Sequence, residues 1–316
     1  MKISRSRARH AAALAGALVS VLAALGAGTS AATRAEAPGA DDFEASLAAW
    51  KSGRAERLRQ PDGWLTVVGL SWLRPGENAV GSGPEAAVRL PAERAPGRLG
   101  TIRLDGTRAT FTAAPGVAVT EAGRPVSEIA LASDADPAGA TRREHGSLSF
   151  YLIARGDRLG VRVKDARAAA LAAFQGLDYY PADRRWRIEG RFEPAPPGSR
   201  LEIPDSTGGS QSIDQPGWVS FELGGGTHRL IAFDDTGDGR LFFVFGDRTN
   251  GRETYGGGRF LYSDPPRDGR VVLDFNRAYN PPCVFTPWAT CPLPPPGNRL
   301  PVAIEAGEKK YAGTVH

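Results

Sequence analysis

Hydrophobic spacing over residues 41–59 predicts a single helix. Phe43, Leu47 and Trp50 recur every three or four positions, which places them on one helical face. The aspartates at 41–42 supply N-cap side chains, and a Pro-Asp-Gly sequence after the helix stops it. We therefore expect an N-terminal helix that docks its apolar face onto the rest of the protein.

From Trp64 onward the hydrophobic period changes to two, and turn residues recur at short intervals. The strongest hairpin signal is Asp105-Gly106, between alternating segments at 101–104 and 107–112. Further strands are predicted at 64–68, 70–73, 147–154, 159–163, 186–192, 218–223, 229–233, 241–245, 259–262 and 270–275. The other helix candidate is the alanine-rich segment 165–174. About a dozen closely spaced strands predict a mostly β fold, an antiparallel sandwich or barrel.

The first 32 residues have the pattern of a signal peptide. Four basic residues precede an uninterrupted apolar and small-residue run over 11–28, and small residues at 30–32 or 35–37 offer cleavage points. An uncleaved anchor is the alternative, because the run has about the minimum spanning length. Its alanine and glycine content favours cleavage, so we expect a bacterial protein exported to the periplasm or outside the cell, without stable membrane insertion after cleavage.

Domain organisation and charge follow from that boundary. Residues 33–40 are a linker, and 41–316 are a single β-rich domain or two packed halves near 41–195 and 196–316. The full chain has a formal charge of +4. Cleavage after Ala32 removes four basic residues and no acidic one, which lowers the charge from +4 to 0. A neutral body of this kind does not predict a nucleic-acid partner.

Several sites of known chemistry are not supported by the sequence. The aspartate-rich run at 234–239 lacks the glutamate that a calcium loop needs at its twelfth position, where Phe245 stands. The histidines have no ligand-spaced partners, and no Gly-x-Ser-x-Gly sequence occurs. No glycine-rich segment precedes a helix pattern. We therefore expect no metal and no cofactor.

The two cysteines, Cys283 and Cys291, lie in a proline-rich loop at 280–296. In an oxidising compartment, two cysteines so close in sequence are most simply explained as a disulfide. A reactive thiol beside His145 or His228, or two free structural thiols, are the alternatives.

The C-terminal quarter holds the densest set of polar residues among prolines and glycines, which is typical of a pocket on loops of a β scaffold. Turn formation and structural ion pairs explain the same composition. The candidate ligand-binding residues, on loops 247–259 and 274–308, are Asp247, Tyr255, Arg259, Asn276, Arg277, Tyr279, Asn280, Arg299 and Glu308. Glu308 and Asp274 are the weaker candidates for catalytic carboxylates.

The same region resembles a known family. The similar segments are 247–251, 253–259, 274–283, 290–295, 298–301 and 306–309, with 63–73 and 174–178 upstream. They resemble the hallmark sequence of a large bacterial family classified as domain of unknown function 1684. The resemblance implies one domain over nearly the whole mature chain, and it brings no activity, substrate or catalytic residue. Its members occur with and without export leaders. The resemblance therefore weakens the interpretation that Cys283 serves only in a disulfide.

Three functions remain open from sequence. The first is a β module that binds a small polar molecule through its arginines, asparagines and tyrosines. The second is a hydrolase that uses carboxylates as acid and base. The third is a structural or interaction protein of the cell envelope, in which the polar clusters hold the sheets together. The oligomeric state is not predicted.

Overall fold

The computed structural model describes residues 40–313 of the 316-residue chain, with side chains from Asp42 onward. The predicted signal peptide (1–32) and all but the last residue of the predicted linker (33–40) lie outside this range. The described residues belong to one compact unit. Within them, no helix is long and apolar enough to cross a membrane.

Two α-helices and eighteen strands make up the described fold, which confirms a mostly β protein with antiparallel sheets. In chain order they are α1 (Ala40–Arg59), β1 (Val67–Trp72), β2 (Gly76–Gly81), β3 (Val88–Arg89), β4 (Gly100–Asp105), β5 (Arg108–Ala113), β6 (Thr120–Glu121), β7 (Arg124–Pro125), β8 (Glu128–Leu131), β9 (Arg143–His145), β10 (Leu148–Arg155), β11 (Arg158–Asp165), α2 (Ala169–Ala173), β12 (Arg187–Pro194), β13 (Arg200–Pro204), β14 (Ser210–Leu223), β15 (Gly226–Asp234), β16 (Leu241–Phe245), β17 (Arg259–Ser263) and β18 (Arg270–Asp274). Short 3₁₀ helices lie at Trp64–Thr66, Arg184–Trp186, Phe275–Arg277, Pro282–Val284 and Pro296–Asn298.

Helix α1 docks as its hydrophobic spacing predicted. Leu47 and Leu58 are buried, and Arg54 is buried on the same side. Gly63 follows the helix where a Cβ would collide with the carbonyl oxygens of Arg57 and Leu58, so only glycine allows this close return of the chain. The apolar stripe and this glycine together fix where α1 ends and which face it buries.

The first half of the described chain is a two-sheet sandwich. A six-stranded sheet with order β1-β11-β10-β9-β6-β7 faces a five-stranded sheet with order β3-β2-β4-β5-β8. Every second residue of a strand faces the core that the two sheets share, as Leu148, Phe150 and Leu152 of β10 do. Because side chains alternate across a strand, the intervening residues of β10 and β11 point to the opposite face of the six-stranded sheet.

The second half is a seven-stranded antiparallel sheet. Its order is β17-β16-β15-β14-β12-β18, and β13 pairs with β14. All five residues of β16 are buried. Phe243 and Phe245 enter one core, while Phe242 and Val244 enter a second core that also includes Cys291. This second core carries apolar side chains toward the candidate site.

Local predictions hold best at tight turns. Gly106 has a φ of 58° between β4 and β5, as the Asp-Gly hairpin signal requires. The two strands predicted on either side of Gly69 are instead one strand, β1, whose pairing register shifts between Val67 and Gly69. The helix predicted over 165–174 is shorter, because β11 continues to Asp165 and α2 spans only Ala169–Ala173.

Candidate functional site

Asp247 and Arg259, two of the predicted site residues, form a buried structural pair. Both side chains have no solvent exposure, and Nη2 of Arg259 lies 2.8 Å from Oδ2 of Asp247. The other carboxylate oxygen accepts the backbone N–H of Thr249 at 2.8 Å and of Ile304 at 3.2 Å. Arg259 also donates to the carbonyl oxygens of Ile304 and Ala306. The pair therefore ties the loop after β16 to the C-terminal segment.

Glu308 is also buried and fully engaged. One carboxylate oxygen accepts Nε of Arg54 at 3.0 Å and the hydroxyl of Tyr179 at 3.4 Å. The other accepts the backbone N–H of Asn280 at 2.8 Å. Asn280, itself buried, donates its side-chain amide to the carbonyl of Lys309. Both carboxylate oxygens of Glu308 accept hydrogen bonds and the side chain is not exposed to solvent, so Glu308 has the environment of a structural residue.

Asn276 and Arg277 follow β18, where Asp274 caps the 3₁₀ helix. Asn276 is buried and bonds Asp183 through both its amide oxygen and its amide nitrogen. Arg277 lies 3.5 Å from Asp274 and donates to the hydroxyl of Ser46 on α1. Asp274 and Glu308, the two predicted catalytic carboxylates, thus serve separate hydrogen-bonding networks.

Tyr255 and Arg299 complete the predicted set. Tyr255 is half-buried, and burial, together with the Cys283 thiol, raises the pKa of its hydroxyl. Arg299 is exposed, and its backbone forms an isolated bridge with Gly246. The structure therefore does not bring the nine predicted residues to one cavity.

The best candidate site is a cavity of about 370 Å³, here called the aromatic cavity. Of the predicted ligand-binding residues, Tyr279 lines it. It lies among α1, β10, β14, β16, β17 and the proline-rich loop at 280–296, here called the cysteine loop. Its lining residues are Arg54, Trp64, Arg155, Gln211, Ile213, Asp235, Phe242, Phe260, Tyr262, Tyr279, Pro282, Thr290, Cys291 and Pro292.

Four aromatic rings form one wall of the aromatic cavity. Phe242 and Phe260 meet edge to face, with ring centroids 4.9 Å apart, and Tyr262 lies parallel to Tyr279 at 6.4 Å. The hydroxyl of Tyr262 donates to Asp235 at 2.6 Å. Burial raises the pKa of both tyrosines, so their hydroxyls are neutral at pH 7. Such a wall suits stacking against a flat ring.

A second cavity of about 330 Å³ lies on the other side of the two tyrosines. Tyr262 and Tyr279 line it together with Asp274 and Arg277, so three predicted candidates meet there. Arg277 and Asp274 are already paired with each other at 3.5 Å. The other arginines that line the second cavity, Arg187 and Arg240, are exposed to solvent.

Basic side chains gather on the face of the six-stranded sheet that points away from the sandwich core. Arg158, Arg162 and Lys164 alternate along β11, and Arg155 lies opposite Arg158 on β10. Arg155 donates to Thr290 at 2.9 Å and to Asp134 at 2.9 Å. Burial, aided by nearby arginines, lowers the pKa of Lys164 to about 8. This basic face therefore reaches the cavity through Arg155 and Thr290.

Arg162 is the unusual member of this basic face. It is 3% exposed, its Nε has no hydrogen-bond partner, and Nη2 reaches the hydroxyl of Thr290 at 3.4 Å. Its guanidinium lies 4.9 Å from the ring of Trp64. Both Trp64 and Thr290 line the aromatic cavity. Burial of a cation without a carboxylate partner is costly, so Arg162 differs from the other buried arginines of the described residues.

The predicted disulfide between Cys283 and Cys291 is not present: both are free thiols. The physical reason is orientation, because the sulfur of Cys291 faces the backbone nitrogen of Cys283 at 3.1 Å and accepts its N–H. Among residues 40–313, no group of three or more histidine, cysteine or acidic side chains is placed to hold a metal ion.

Sequence reasoning missed most of the aromatic cavity. The sequence places Arg54 in the predicted helix over 41–59, Arg162 in the predicted strand 159–163 and Arg155 just after the predicted strand 147–154. One signal is available: the basic residues at 158, 162 and 164, in and beside the predicted strand 159–163, are all at even positions and therefore share one face of the sheet.

The fold and the site define a mostly β protein with one aromatic, arginine-lined candidate cavity. Residues 172–309 match a family model described as a protein of unknown function, DUF1684. The chain belongs to that family. The match includes every predicted site residue, whereas the similar segment at 63–73 lies outside it. A search of curated proteins gives no significant match.

Solved structures give partial likenesses. The chain is 33% identical to an uncharacterized protein of Haloarcula marismortui solved by NMR, over 44% of this chain and 78% of that one, with a TM-score of 0.38. It is 27% identical to an FHA domain from a study of phosphothreonine-dependent interactions, over 31% and 96%, with a TM-score of 0.22. For the FhaA FHA domain in complex with the intracellular domain of Rv3910, the identity is 26%, over 30% and 97%, with a TM-score of 0.21.

Proposed function

We propose that this protein binds a small organic anion with a flat ring in the aromatic cavity. Four arginines are buried in the described residues, and three of them pair with carboxylates: Arg54 with Glu308, Arg143 with Glu121 and Arg259 with Asp247. Arg162 forms no ion pair with any described carboxylate. This single unpaired buried guanidinium, beside the cavity, carries the proposal.

The remaining cavity residues support the same class of ligand. Arg54 uses Nε and Nη2 to bind Glu308 and the carbonyl of Asn280, and its guanidinium lies 4.7 Å from the ring of Tyr279. Arg155 adds a second cation to the lining. A carboxylate or phosphate would bind the guanidinium groups, while the ring would lie against the tyrosines and phenylalanines. The volume lies at the lower end of the range for small-molecule sites.

The proposal moves the predicted ligand site away from loop 247–259, where Asp247 and Arg259 are already paired. It keeps part of loop 274–308, which contributes Tyr279, Pro282, Thr290, Cys291 and Pro292 to the cavity lining. No observation favours a carboxylate hydrolase, because Glu308 is buried in a satisfied network and Asp274 caps a 3₁₀ helix.

The proposal is tested by thermal unfolding and calorimetry with benzoate, phenyl phosphate, neutral benzamide and acetate. We expect the two ring-bearing anions to raise Tm by several degrees at saturation, and benzamide and acetate to have little effect. Arg162→Met should weaken their binding at least about 30-fold, because it removes a buried charge partner.

The matched control is Arg158→Met, on the same face of β11. Its guanidinium lies over Trp72, which does not line the cavity, whereas Arg162 contacts the lining residues Trp64 and Thr290. Arg158→Met should therefore bind within about twofold of wild type. Stability gives a second criterion. Removal of an unpaired buried charge should leave the ligand-free Arg162→Met protein at least as stable as wild type. Equal binding by Arg162→Met and wild type, or no response to any anion, would overturn the proposal.

We also propose that the chain is exported through a cleaved signal peptide over residues 1–32. The basic start and the apolar run over 11–28 support this. Fusion of residues 1–40 to alkaline phosphatase should give activity outside the cytoplasm, and the mature chain should begin near residue 33. A full-length chain that retains Met1 in the cytoplasmic fraction would contradict export.

A further inference from the structure

The cysteine loop places two free thiols close together. The sulfur of Cys291 accepts the backbone N–H of Cys283 at 3.1 Å. Cys283 is half-buried, whereas Cys291 is 3% exposed. The two thiols therefore differ in access to solvent although they lie close together.

Their environments also separate their reactivities. Hydrogen bonds from Cys291 and Tyr255 lower the pKa of Cys283, because they stabilise its thiolate. Burial raises the pKa of Cys291. A more accessible thiol with a lowered pKa, next to a buried thiol, is the arrangement of an attacking and a resolving cysteine.

We propose that Cys283 and Cys291 form a redox-active dithiol site that exchanges with small disulfides. The Cys283 thiolate attacks one sulfur of the small disulfide, the S–S bond breaks, and one thiolate leaves. Cys291 then loses its proton to that thiolate and attacks the Cys283 sulfur, which releases a second thiolate that takes a proton from solvent. The two protein thiols lose two electrons to become a disulfide, and the small disulfide is reduced to two thiols.

The loop is built to keep the two thiols together in the reduced state. Cys291 is fixed by Ser206, whose hydroxyl accepts its N–H at 3.1 Å and whose N–H donates to its carbonyl at 2.9 Å. Cys283 lies on the 3₁₀ helix Pro282–Val284, and prolines before and within the loop restrict the chain. This gives the pair a high effective concentration. Rotation of the Cys283 side chain about its Cα–Cβ bond changes the separation of the sulfurs without moving the anchored Cys291.

The experiment incubates the purified full chain with oxidised glutathione at pH 7 and follows mass and non-reducing peptide maps. Wild type should lose two hydrogens and yield a Cys283–Cys291 cross-linked peptide. Cys291→Ser should instead trap glutathione on Cys283, because the resolving thiol is missing. Cys283→Ser should react at least about tenfold more slowly, because the remaining thiol is buried.

Tyr255→Phe tests the phenol directly. It removes the hydroxyl that stabilises the thiolate, so the first step should slow roughly 3- to 10-fold at pH 7. Tyr311→Phe, whose ring packs on Phe174 and Phe285, is the matched control and should keep the wild-type rate. The proposal is overturned if wild type accumulates only a stable mixed disulfide, if Cys283→Ser reacts as fast as wild type, or if Tyr255→Phe does.

Discussion

The buried pair of Asp247 and Arg259 gives a sharp test of whether the polar C-terminal cluster is structural. Arg259→Met would remove the cation and leave the Asp247 carboxylate with only its N–H and hydroxyl donors. It would also leave the carbonyl oxygens of Ile304 and Ala306 without their guanidinium donors. Breaking a buried pair from one side leaves an uncompensated charge, so we expect a loss of about 3–5 kcal/mol in the free energy of unfolding.

Urea denaturation followed by tryptophan fluorescence at pH 7 measures this loss, and the slope m should stay constant. The corresponding fall in Tm is roughly 10 °C, since 1 kcal/mol shifts Tm by about 2–4 °C for chains of about this size. Asp247→Asn should cost a similar amount. The double variant should cost at least about 1.5 kcal/mol less than the sum of the two single losses. The reason is that each single change already breaks the ion pair and leaves the other member of the pair without its partner.

An exposed ion pair provides the control. Arg200 and Asp214 are both more than half exposed, so Arg200→Met should cost less than about 1 kcal/mol. The structural interpretation is refuted if Arg259→Met costs no more than that control, or if the two single losses are simply additive.

Three further outcomes follow from the packing and charge of individual residues. Leu58→Ala should lower the free energy of unfolding by about 2–5 kcal/mol in urea denaturation, because Leu58 is 1% exposed, whereas Leu58→Met should cost less than about 1.5 kcal/mol. Gly307→Ala should cost clearly more in Tm than Gly116→Ala: both have a positive φ, but a Cβ at 307 collides with the carbonyl oxygen of Ala278 and one at 116 meets nothing. The pKa of Lys164 is lowered by burial from 10.5, its ordinary value, to about 8 in the folded protein. Between these values the unfolded chain binds more protons than the folded chain, so stability should rise from pH 8 to 9.5. Lys164→Met should abolish that rise, and an unchanged pH profile would contradict the assignment.

The sequence predicted the strand content well because the relevant signals are local. Asp105-Gly106 sets a hairpin by its own backbone preference, and the alternation in residues 147–154 reports which side faces the sandwich core. Prediction is weaker where pairing with a distant strand decides how far a strand extends. The sequence around Gly69 predicts a break between two strands, yet β1 continues through Gly69 with a shifted register.

The aromatic cavity was beyond local reasoning because its lining comes from distant segments. Arg54 on α1, Arg155 on β10 and Tyr279 after β18 meet only once the sheets are assembled. The C-terminal quarter combines proline and glycine with polar residues, a composition that predicts loops. Loops of this composition form ligand-binding sites and buried structural clusters alike, so the composition does not distinguish between the two.

A buried arginine with a structural role differs from one at a candidate site in whether protein groups compensate its charge. This difference is visible only in the folded chain. Arg259 and Arg162 are both buried arginines on β-strands, and Nε has no partner in either. Arg259 faces the Asp247 carboxylate and two backbone carbonyls, so its charge is compensated within the protein. Arg162 faces a hydroxyl and an indole ring, which leaves its charge uncompensated. Among the four arginines buried in the described residues, three are compensated and the fourth lies beside the aromatic cavity, and this asymmetry supports the proposed anion site.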